Sequence, residues 1–176
     1  MTTAEGIKRA GSPQAAQKLR ENFYLVQVPL SETPSADWKR LFYDAQHDIL
    51  YVASSADNTV YAVRNAGSRS DANEGIGTII YQDLAHLHGP IDLVMAPNGH
   101  LIVANSDGSN ANPNQPSELV EFTIDGQFVA EYSVDANNGG AFGVGLTTIG
   151  GGAAIRFAAV DDNANTLTMW TTGIVN

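Results

Sequence analysis

At 176 residues the chain is long enough for one domain that buries roughly 70% of the surface its unfolded form exposes. Its 19 acidic against 9 basic side chains leave a net charge of −10, which should repel nucleic acid and anionic lipid. There is no cysteine, which excludes disulfides, thiolate nucleophiles and sulfur-ligated zinc or iron, and no run approaches the eighteen or so apolar residues of a membrane span.

Residues 1–20 lack the apolar centre of a signal peptide, so the chain as written reads as cytoplasmic and a longer form as open to export. Residues 1–22 read as a leader, partly disordered or holding a short helix started by Ser12 and Pro13. Residues 23–30 are rich in aromatic and β-branched side chains and read as a strand with no partner beside it in sequence. A first set of strands is expected over 39–45, 49–54, 59–64 and 78–83. A second runs over 91–96, 101–104, 118–124 and 127–134, where Asn98-Gly99 and Asp125-Gly126 are strong hairpin signals. A third set, 142–148, 155–160 and 166–171, stops after three strands.

These sets form an internal repeat. Val52-Ala53-Ser54, Val103-Ala104-Asn105 and Ala158-Ala159-Val160 each end a second strand before an Asx-rich turn, and their central alanines recur after 51 and 55 residues. That period suits four-stranded propeller blades. The fold class expected is therefore all-β, with blades at about 38–83, 89–134 and 140–171. The aromatics Trp38, Tyr43, Tyr51, Tyr61, Phe122, Tyr132 and Trp170 fall in or beside strands and are assigned to core packing.

The second set also carries a resemblance. Its Gly89-Pro90 lead-in, Pro97-Asn98-Gly99 turn and Val103-Ala104-Asn105 strand end resemble the repeat of NHL-type propellers. The first set lacks the Gly-Pro, and the third replaces the tight turn with residues 150–154. The whole is similar to the C-terminal half of a six-bladed NHL-like propeller. That resemblance implies fold more than function, since such propellers include hydrolases, lactonases, lyases and pure binding modules.

Three blades cannot close a ring, and their end faces would leave several large apolar side chains in water at about 1.5–3 kcal/mol each. A homodimer forming a six-bladed ring would cover them. One strand is missing from the third set and one is spare at the start. Strand exchange is therefore expected, with Phe23, Leu25, Val26 and Val28 completing the last blade of the other copy.

Ligands are expected at the polar end of the axis, where the turns between second and third strands join the connections between blades. The long loop 105–117 lies over that end. Candidate binding residues there are His86, His88, Asp92, Asn105, Asp107, Asp161 and Asp162. Oxygen donors of this kind suit Ca²⁺ or Mg²⁺, with Asn105 and Asp161 as the metal candidates. Asx residues are also the ordinary chemistry of tight turns, and two histidines without a third ligand fall short of a zinc site. Hydrolase elbows, metalloprotease motifs and phosphate loops are absent. Two functional classes remain: a non-catalytic scaffold for a small molecule or protein, and a divalent-metal hydrolase, lactonase or lyase.

Overall fold

The structure, a computed structural model, describes residues 38–69 and 77–173; the proposed exchange strand with Phe23, Leu25, Val26 and Val28, and the leader before it, lie outside the described residues. Eleven strands follow in order: β1 (Trp38–Asp44), β2 (Ile49–Ser54), β3 (Thr59–Arg64), β4 (Thr78–Gln82), β5 (Pro90–Met95), β6 (Leu101–Asn105), β7 (Glu118–Phe122), β8 (Phe128–Ser133), β9 (Ala141–Ile149), β10 (Ala154–Asp161) and β11 (Thr166–Gly173). They form three antiparallel meanders, β1-β2-β3-β4, β5-β6-β7-β8 and β9-β10-β11. The first strands lie side by side, β5 packing against both β1 and β9. The sheets therefore fan out from one line, as the blades of a β-propeller do. Among the described residues no helix is long and apolar enough to cross a membrane.

Alternation along each strand decides which blade a side chain meets. Leu101 and Val103 on β6, with Val120 and Phe122 on β7, join Ile49, Tyr51, Ala53, Val60, Ala62 and Tyr81 in the core between the first two sheets. Tyr81 and Phe122 stack across it, ring centroids 4.2 Å apart. The intervening residues Ile102, Ala104 and Leu119 face the third sheet and pack with Ala141, Val144, Phe157, Ala159 and Trp170. A strand buried on both faces must be apolar nearly throughout, which is why β6 reads Leu-Ile-Val-Ala. On the far side of the first sheet, Val52, Tyr61 and Val63 make a cluster of their own. Not every strand aromatic is core: Tyr43 and Tyr132 are exposed, because each stands at a margin of its sheet.

The two Asx-Gly turns share one geometry. Gly99 N–H donates to Ala96 O and Gly126 N–H to Thr123 O, both at 2.9 Å, and both glycines have positive φ, 83° and 86°. Asn98 and Asp125 are not among the positive-φ residues. Each is thus a four-residue turn closed by a left-handed glycine, rather than a two-residue loop with both centres left-handed.

The turns between second and third strands also repeat. Asn58, Ser117 and Asn165 all take left-handed φ, between 51° and 57°, one residue before β3, β7 and β11 begin. Thr59, Glu118 and Thr166 therefore occupy equivalent positions. Ser54 pairs with Thr59 and Asp161 with Thr166, so Asn105 is the matching residue in the second blade.

Candidate functional site

The second blade departs from its siblings at this position. Where the first and third sheets carry threonine, it carries Glu118, and where they turn tightly it inserts the segment 106–117. Two clamps fix the approach to it. Gly89 N–H donates to Asn58 Oδ1 at 2.7 Å, and Gly89 O accepts from the Ser106 N–H at 3.0 Å and its hydroxyl at 2.9 Å. A Cβ on Gly89 would lie 2.9 Å from Ser109 N, and its φ is 78°, so glycine is required there. This fixed lead-in drives the preceding His88 inward, where only 1% of it is exposed.

Asp107 ties the base of the loop. Its Oδ2 accepts from Ser117 N–H and Gly139 N–H, both at 2.8 Å, linking the loop to the lead-in of the third blade. Its Oδ1 is buried without a hydrogen-bond partner. Asn110 Nδ2 donates to Leu84 O at 2.7 Å and Leu87 O at 3.1 Å, which pins the loop over His88. Asn112 accepts the Asn114 N–H at 3.0 Å, ordinary Asx turn work.

Under this loop His88, Asp107 and Glu118 offer one ligating atom each, all within 4.8 Å of one another. Glu118 is 1% exposed. Its Oε1 lies 3.1 Å from His88 Nδ1, close enough for an ion pair but out of line for a hydrogen bond, so both atoms stay buried without a hydrogen-bond partner. Asn105, fully buried, donates from Nδ2 to His86 O at 2.7 Å and to Glu118 Oε2 at 3.4 Å, and its Oδ1 is likewise unpaired. Burial pushes the Glu118 carboxyl above the usual carboxylate range; its own backbone N–H and His88 oppose this, and the Asp107 charge adds to it. Such a site can hold a cation, or hold and release a proton, out of bulk water.

The other candidates have other surroundings. His86 is turned to Asp83, Nδ1 to Oδ2 2.5 Å, and stacks on Phe128. Asp92 lies on β5, its Oδ1 accepting Leu93 N–H and its Oδ2 Val144 N–H, both at 2.8 Å. Asp161 accepts Ala164 N–H at 3.1 Å, and Asp162 is exposed. The fold thus gathers His88, Asn105 and Asp107, and leaves His86, Asp92, Asp161 and Asp162 in separate settings. Sequence reasoning missed Glu118. The available signal was a carboxylate opening a strand that otherwise reads Leu-Val, at the place of Thr59 and Thr166 in the repeat.

No family model and no curated protein sequence matches the chain. Among solved structures it is similar to a chain of a nidogen/laminin complex, with TM-score 0.50, 13% identity, and coverage of 82% of this chain and 47% of that one. It is also similar to a luciferin-regenerating enzyme, with TM-score 0.50, 12% identity, and coverage of 78% and 45%. The chain spans about half the length of these two structures. At such identities the likeness bears on fold alone, and the fold it supports is the β-propeller.

Proposed function

We propose that the chain is a β-propeller binding scaffold, that a second copy completes its three sheets to a six-bladed ring, and that ligand is engaged at the end carrying the loop 106–117. The observation that carries this reading is the outward face of the third sheet. There Leu167 and Met169 are 58% and 60% exposed, directly across from Val160 and Ala158 on β10. Among the described residues no strand pairs with the far edge of β11. An apolar face beside an open edge invites association. In the proposed ring this face meets the second copy, and the sequence 23–30 supplies the strand that β11 lacks.

Light scattering on the purified chain tests the ring. A species of twice the 18.6 kDa chain mass is expected, and Leu167→Glu with Met169→Glu should return it to a single chain. A monodisperse 18.6 kDa species at micromolar concentration sinks the second copy as the partner.

A metal-dependent hydrolase, lactonase or lyase is the second reading, favoured by the close-set donors of the buried His88 and Glu118 and the half-buried Asp107. Turnover of ester or lactone substrates that rises with added divalent metal and is lost in Glu118→Gln would move the assignment to it.

A further inference from the structure

We infer that His88, Asp107 and Glu118 form a binding site for one divalent transition ion of the zinc type. This goes beyond the scaffold reading and does not depend on ring closure, because all three donors belong to one chain and one end of the second blade.

Geometry is the first support. Two ligands held at about 2.1 Å from a tetrahedral ion lie about 3.4 Å apart. His88 Nδ1 and Glu118 Oε1 are already 3.1 Å apart, and the whole trio falls within 4.8 Å. An ion pair alone would align the histidine N–H with the carboxylate; here both atoms lack a hydrogen-bond partner, as does Asp107 Oδ1. Leaving three such atoms without a hydrogen bond, two of them facing each other at 3.1 Å, is costly in a protein interior, and one shared ion satisfies all of them.

Charge is the second. Two carboxylates and one histidine, His88 and Glu118 buried and Asp107 half-buried, leave an excess negative charge even with the imidazole protonated. A doubly charged cation balances both carboxylates and takes the imidazole in its neutral form.

The donor set then selects the ion. Calcium asks for six to eight oxygens and magnesium for six, whereas one nitrogen and two carboxylates match zinc with three protein ligands and a fourth position open. Supporting contacts are in place: Asp107 Oδ2 is fixed by two backbone N–H groups at 2.8 Å, and Asn105 holds Glu118 Oε2 at 3.4 Å. The internal repeat supplies a control: the other two blades carry Thr59 and Thr166 in place of Glu118, and among the described residues no second trio of such donors gathers.

The test strips the full-length chain with chelator, titrates Zn²⁺ calorimetrically and counts bound metal by elemental analysis. One zinc per chain is expected, not displaced by millimolar Ca²⁺. Asp107→Asn keeps an acceptor for Ser117 and Gly139 while removing a ligand oxygen. Glu118→Thr installs the residue found at this position in the other two blades. Each should weaken zinc by more than the roughly 10- to 100-fold typical of losing a supporting contact, with the far-ultraviolet spectrum unchanged. Failure of the wild-type chain to retain stoichiometric zinc overturns the site. So does wild-type affinity in Glu118→Thr, or in Asp107→Asn should the threonine variant not fold. Zinc bound by a chain that stays at 18.6 kDa would sink the ring and leave this site standing.

Discussion

Asp92 on β5 reaches across to the third blade and accepts the Val144 N–H at 2.8 Å. The bond joins two innermost strands near the line around which the sheets fan, where no side chain of β9 is needed to make it. Gly143 lies beside it, and a Cβ there would make only an ordinary contact with Asp92 Oδ2, at 3.5 Å. Removing the acceptor in Asp92→Ala leaves the half-buried Val144 amide unpaired, at about 1 kcal/mol or somewhat more. Native-state hydrogen exchange should show Val144 and its neighbours on β9 losing protection while β1–β4 keep theirs. Equal loss in all three sheets would mean that the bond does not act between blades.

Tyr81 and Phe122 separate packing from hydrogen bonding at the first interface. The Tyr81 hydroxyl donates to Asp83 Oδ2 at 2.9 Å, and burial, then that bond, push the phenol well above its ordinary range. Tyr81→Phe keeps the stack and should cost only about 0.5–1.5 kcal/mol. Phe122→Ala empties a fully buried site and should cost about 3–5 kcal/mol. Denaturant melts of the two variants read both values, and a tyrosine variant as damaging as the phenylalanine one would place the stability in the hydroxyl.

Much of this architecture is legible from periodicity, because a strand sandwiched between blades must be apolar on both faces and a strand at a margin need not be. Val-Ala-Ser and Val-Ala-Asn mark the same step of the first two sheets for that reason, whereas the pairing of Asp161 with Thr166 puts Ala-Ala-Val one residue out of phase in the third. The site was less legible. Asn105 and Asp107 announce themselves as Asx residues in a long loop, but so do Asp135, which caps the Asn137 N–H at 2.6 Å, and Asp161, which caps Ala164. Composition cannot tell a turn cap from a ligand. His88 becomes informative once Gly89 is seen clamped on both sides, and Glu118 once the repeat aligns it with two threonines. Both facts are long-range: Asn58 holds Gly89 from 31 residues away.

Gly99 and Gly126 close turns of the same geometry and should respond differently to one added methyl group. Both have left-handed φ, so alanine costs about 1–2 kcal/mol of backbone strain at each. At Gly99 nothing lies within 4 Å of the new Cβ, whereas at Gly126 it would sit 2.4 Å from the Ile80 carbonyl oxygen on β4. Gly126→Ala must therefore also push the hairpin of the second blade off the outer strand of the first. Thermal melts should rank Gly126→Ala as the more destabilised, and equal melting temperatures would show that the hairpin tip does not press on β4.

Asp48 should give the first blade an acid limit of its own. Its Oδ2 accepts the Ser68 hydroxyl at 2.6 Å, and its Oδ1 accepts the Gly67 N–H at 2.5 Å and the Tyr43 hydroxyl at 2.9 Å. The Ser68 and Gly67 bonds, with Tyr43 adding to them, hold the carboxyl below its ordinary value against a little desolvation. A folded-state pKa below the unfolded one stabilises fully above about 3.9 and is lost as pH falls through the lower, folded value. Tyr43 runs the other way: the bond to Asp48 raises its phenol, so its part persists below about 10 and fades as pH climbs through the raised value. The segment around Gly67 should therefore stay anchored from weakly acidic to weakly alkaline solution and loosen at both extremes. The Gly67 amide resonance followed against pH reads this directly. In Asp48→Asn, where asparagine tolerates the left-handed φ of 54°, the acid step should vanish. An acid step that survives the substitution would assign it to another carboxylate.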